Sequence, residues 1–60
     1  MKQNTRVDVR CPSCPWEGTT MPYAEAPYLA LSLSEDHGYA FIVERKNGTI
    51  IAEYTDGRAN

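Results

Sequence analysis

Two cysteines and a histidine are the residues of this sequence best equipped for chemistry. Cys11 and Cys14 flank Pro12 and Ser13 in a C-P-S-C run, and His37 is the one histidine. Two thiols separated by two residues on a tight turn can point at one ion, and zinc takes thiolate and imidazole ligands in tetrahedral sites. A fourth ligand has to come from elsewhere. In a finger with two histidines, the second would stand about one helical turn before His37, but Leu33 and Ser34 hold those positions. Asp36 is the acidic candidate adopted, with Glu35, Asp8, water or a second chain as alternatives. The expected metal set is Cys11, Cys14, His37 and Asp36, around Zn2+. Free, semi-buried thiols and a strained local disulfide are the competing states of the cysteines. Redox catalysis ranks low. Thioredoxin-like thiols sit at a helix N-terminus within a βαβ unit, and 60 residues cannot hold that fold.

The elements that must position these groups follow from pattern. Thr5 to Arg10 alternates, with Val7 and Val9 on one face, which reads as a half-buried strand. Cys11 to Gly18 has the composition of a turn. A helix is expected over about Ala24 to His37. Thr20 serves as an early cap, and Pro22 or Pro27 suits the first turn, where a missing N–H costs nothing. Glu25 suits the positive end of the helix dipole. Ala26, Leu29, Ala30, Leu33 and His37 line one face, and Gly38 is placed to end the helix.

Tyr39 to Lys46 and Thr49 to Thr55 are β-rich runs around Asn47-Gly48, a two-residue hairpin signal. That turn sets Val43 opposite Ala52 and Phe41 opposite Tyr54. Phe41, Val43, Ile50, Ala52 and Tyr54 then form the core face, and Ile42 and Ile51 fall on the outer one. Asp56 to Asn60 reads as a solvated tail. The fold class expected is α+β: a three-stranded antiparallel sheet with one helix, in the order β, knuckle, α, β, β. The chain reads as one small domain over 1–60, with an ordered core of about 5–55.

Cys11-Pro-Ser-Cys14, then Trp16 and Gly18, then an alanine-rich helix ending in His37-Gly38, then an aromatic hairpin, resembles the small zinc-finger or zinc-ribbon-like proteins of actinobacteria and their phages. The resemblance spans roughly residues 9–55. It implies a structural zinc knuckle and a role in binding. This sequence departs from the pattern by lacking a first helix histidine and by carrying Pro15 where glycine is usual.

Composition narrows the function classes. The chain has 60 residues, 42% hydrophobic and 23% charged, with a net charge of −2. A domain so short has a marginal core and gains from a metal, a disulfide or a partner. Arg6, Arg10, Arg45 and Lys46 could gather at one end of the sheet, so a finger-type nucleic-acid-binding or transcription-regulating protein is the alternative. Free-standing nucleic-acid binders are usually basic, and a protein partner comes first. Trp16, Tyr23, Tyr28, Leu31, Ile42 and Ile51 are the candidate partner-binding residues, because apolar groups extend beyond one helix face. A homodimer sharing this surface is a further possibility.

No serine triad or phosphate loop is present, and no catalytic carboxylate pair can be assigned, so a non-catalytic module is expected. The first ten residues lack the apolar core of a signal peptide, and no stretch suits a membrane span. Cytoplasmic location is the expectation, in the host cytoplasm if the chain is phage-encoded.

Overall fold

A computed structural model describes residues 4–60. Residues 1–3, expected as part of a frayed start, lie outside the described residues. The chain is α+β, as expected. Its strands are β1 (Arg6–Arg10), β2 (Thr19–Pro22), β3 (Tyr39–Glu44), β4 (Ile50–Thr55) and β5 (Arg58–Ala59), and its helix is α1 (Ala26–His37). A single 3-10 turn covers Pro15–Glu17. All strand pairs are antiparallel, in the spatial order β2-β1-β3-β4-β5. Among the described residues five strands stand where three were expected, and both extra ones lie at the edges.

β1 forms where Val7 and Val9 alternate with Arg6, Asp8 and Arg10: the valines are fully buried and the charged residues face outward. β2 replaces the expected helix start. Thr19 pairs with Val9 and Pro22 with Arg6, so Thr20 and Pro22 belong to a strand, not to a cap. Pro22 is tolerated because β2 is an edge strand, where a missing N–H need cost no ladder bond. The helix instead starts at Ala26 with Pro27 in its first turn, and Glu25 caps it without a side-chain hydrogen bond. It ends where Gly38 adopts φ 93° and donates its N–H to the Ser34 carbonyl at 2.8 Å.

The helix buries Ala26, Ala30, Leu33 and Ser34 against one sheet face. Val7, Val9, Ala40, Ile42 and Tyr54 meet them there, together with both cysteines. Three of these core residues are alanines, so the buried side chains are small for their number.

The register of the β3–β4 hairpin differs from expectation. Asn47 does not take the positive φ that a two-residue turn of this kind needs; only Gly48 does, at 73°. The loop runs from Glu44 to Thr49 instead, closed by Glu44 N–H to Thr49 O at 2.9 Å and Gly48 N–H to Glu44 O at 2.8 Å. A bulge follows: Val43 pairs with Ile50, but Ile42 pairs with Ala52 and Ala40 with Tyr54. The extra residue in β4 leaves Tyr54 in the core as expected but inverts β3 against it, since each residue of slip exchanges the faces. Ile42, expected outside, is fully buried, while Phe41 and Val43 are only partly covered and Ile50 is exposed.

The expected solvated tail also folds back. Asp56 (φ 51°) and Gly57 (φ 80°) make a two-residue turn, and Thr55 pairs with Arg58. Positive φ at both central residues is the signature of the favoured hairpin turn. The Gly57 N–H donates to Ser34 Oγ at 2.8 Å, and that hydroxyl donates to the Leu31 carbonyl at 2.8 Å. A buried serine therefore pins the last hairpin to the helix.

Candidate metal centre at the knuckle

The knuckle is the connection of the β1–β2 hairpin, and local hydrogen bonds shape it. Cys14 N–H donates to Cys11 O at 3.0 Å, and Glu17 N–H donates to Cys14 O at 2.9 Å. Both link residues three apart. The 3-10 turn itself covers only Pro15–Glu17, with Cys14 ahead of it at φ −145°, and the two bonds bring Cys11, Cys14 and Glu17 close together along a tightly turned backbone. His37 arrives from the opposite direction as the last residue of α1.

The result is a group of three donors. The Cys14 sulfur, a Glu17 carboxylate oxygen and a His37 ring nitrogen all lie within 4.8 Å of one another. His37 Nε2 and Glu17 Oε2 are 3.6 Å apart. Donors bonded to a tetrahedral zinc at about 2.0–2.3 Å stand roughly 3.5 Å from each other, so this pair already has ligand spacing. Cys14 is fully buried, His37 is half-buried and Glu17 is exposed, so the group opens to solvent on the Glu17 side. Such a group could hold a metal ion.

The structure departs from the expected set at two points. Cys11 and Cys14 are joined as a disulfide, so neither is a free thiol. Asp36 is exposed and stands outside the group. Adjacent helix residues point about 100° apart, and with His37 turned inward Asp36 turns away. Glu17 takes the place given to Asp36. The signal was present in the sequence as a repeat of three: Cys11, Cys14, Glu17.

The predicted partner-binding residues separate. Trp16 and Tyr28 are 77% and 80% exposed, and Leu31 is exposed beside Tyr28 on the outer helix face. Tyr23 and Ile51 are partly buried against the core. Ile42 is a core residue and cannot serve as a contact surface.

Two of the basic residues meet around one carboxylate. Arg10 and Arg45 both reach Asp8, at 3.5 and 3.6 Å, and Thr20 donates its hydroxyl to the same carboxylate at 2.6 Å. These residues line a groove of about 340 Å³ on the outer sheet face, which also reaches Cys11, Pro12, Pro15 and Phe41. Next to it Tyr39 and Phe41 stack at 5.7 Å, and the Tyr39 hydroxyl donates to Glu53 at 2.7 Å. That hydrogen bond holds the Tyr39 phenol above its ordinary pKa.

Among the described residues, no helix is long and apolar enough to cross a membrane. No protein-family model matches the chain, and no curated protein or solved structure matches it either.

Proposed function

We propose that this chain is a small, non-catalytic protein-binding module whose knuckle carries a structural Zn2+ when its cysteines are reduced. The observation that supports the metal is the convergence of Cys14, Glu17 and His37 within 4.8 Å. Reduction frees two thiolates, and with Glu17 and His37 they supply four donors of the types zinc prefers. The ion would tie the end of α1 to the β1–β2 hairpin. An alanine-rich core of this size gains much from such a tie.

The binding role draws support from Tyr28 and Leu31, one helical turn apart and both exposed, and from the exposed Trp16. Large aromatic side chains anchor interfaces. The resemblance to small phage and actinobacterial zinc-finger-like proteins adds a host protein as the partner in this proposal. Nucleic-acid binding ranks second, because the chain carries a net charge of −2 whereas free-standing nucleic-acid binders are usually basic.

Native mass spectrometry of the reduced chain titrated with zinc tests the metal. One bound ion, lost in a Glu17→Ala/His37→Ala variant, is the expected result. A reduced chain that stays metal-free and melts identically with and without zinc would end this reading.

A further inference from the structure

We infer that the knuckle alternates between two exclusive states, a Cys11–Cys14 disulfide and a dithiolate metal site, so that disulfide compounds discharge its metal. This rests on the metal reading above and adds its regulation. The argument turns on one atom. The Cys14 sulfur is bonded to the Cys11 sulfur and also belongs to the group formed with Glu17 and His37. Metals bind the thiolate, and binding requires that ligands be deprotonated. A sulfur in a disulfide carries no such charge. The bridge therefore removes two donors at once and leaves only a carboxylate and an imidazole.

Both cysteines are buried, Cys14 fully and Cys11 to within 2%, and of the two only Cys11 also borders the groove that Arg10, Arg45 and Thr20 line. An incoming thiolate attacks the Cys11 sulfur, the one of the pair nearer the groove, and the sulfur–sulfur bond breaks with its electron pair passing to Cys14. Cys14 leaves as a thiolate beside His37. A second thiolate attacks the incoming compound's own sulfur in the mixed disulfide. Cys11 departs as a thiolate, and a small disulfide is released. Two electrons have entered the protein, and the two thiolates then take up a divalent ion with Glu17 and His37. In reverse, a small disulfide accepts those two electrons, leaves as two thiolates, and the ion is expelled.

The groove favours a chemical class of exchange partner. Two guanidinium groups share a single carboxylate there, so an anionic thiol such as glutathione is attracted over a neutral one. A reducing compartment then holds the metal state and an oxidising one the bridge.

The test starts from the reduced, zinc-loaded chain, to which glutathione disulfide is added. Released zinc is read with a chromophoric chelator, and remaining thiols by alkylation and mass. One zinc should leave for each bridge formed, and zinc should rebind after dithiothreitol. The Glu17→Ala/His37→Ala variant should close the same bridge while carrying no zinc, which separates the ligands from the redox step. Zinc retained at equal affinity by the bridged chain, or zinc leaving while both thiols still alkylate, overturns the inference. In both of those outcomes the reduced chain still binds zinc, so the metal reading stands. A reduced chain that never binds zinc removes both.

Discussion

Glu17 owes its place beside Cys14 to a turn of backbone. The consecutive three-residue hydrogen bonds of the knuckle bring Cys11, Cys14 and Glu17 together, a spacing of three that neither the α-helical nor the strand period supplies. Glu17→Gln should weaken zinc binding by the reduced chain by at least about 10-fold, the loss that follows even from mutating outer-shell partners of a metal. Asp36→Asn should leave it unchanged. Competition against a chelator reads both, and equal losses would return Asp36 to the site.

Tyr54 offers a second residue-scale test. Burial, and next the neighbouring Tyr23, push its phenol above the ordinary 10.0. The fold thus favours the neutral form. That stabilisation is whole below the unfolded value and is lost as pH rises through the raised one. Tyr39 acts in the same direction, through Glu53. Melting temperatures in alkaline buffers should fall less steeply in Tyr54→Phe than in the parent, and likewise in Tyr39→Phe. Parallel curves for parent and Tyr54→Phe would exclude the effect.

At the scale of elements, the two hairpins teach opposite lessons about similar dipeptides. Asn47-Gly48 has the stronger flanking pattern, yet it takes a longer loop. There Asn47 Oδ1 accepts the Thr49 N–H at 3.0 Å, and only Gly48 has positive φ. Asp56-Gly57 has almost no strand after it, yet it makes the tight turn. Tertiary contact explains the difference. Gly57 sits against the helix, where a Cβ would collide with the Glu35 side chain, and its N–H is held by Ser34. Ser34→Ala leaves that N–H without its partner. Losing the partner of a buried group costs about 1–3 kcal/mol, which denaturant unfolding would register, together with faster amide exchange at Gly57 and Arg58. Unchanged exchange there would show that β5 does not depend on the helix. Expected helix boundaries held within two residues, because Pro27 and Gly38 act locally.

At the scale of the whole molecule, one sheet face is closed by the helix, and Tyr28 and Leu31 stand exposed on the helix's outer side beside the polar Ser32, Glu35 and Asp36. A Tyr28→Asp/Leu31→Asp variant should keep its stability within about 0.5 kcal/mol, as surface changes usually do. It should also lose the partners that the parent recovers by cross-linking. Identical recoveries would move the interface elsewhere; a parent that sediments as more than one chain, and a variant that does not, would make the partner a second copy.

By itself the sequence determined the α+β class, the inward faces of β1 and α1, the helix end at His37 and the knuckle at Cys11 and Cys14. Those features depend on periodicity and on neighbours within a few residues. Only the tertiary structure decided that Glu17, not Asp36, meets His37, that β3 turns Ile42 inward, and that β2 and β5 are strands. The physical reason is common to all three. A bulge, an edge pairing and a helix end meeting a turn are contacts between distant segments, and a one-residue slip in any of them exchanges inside for outside.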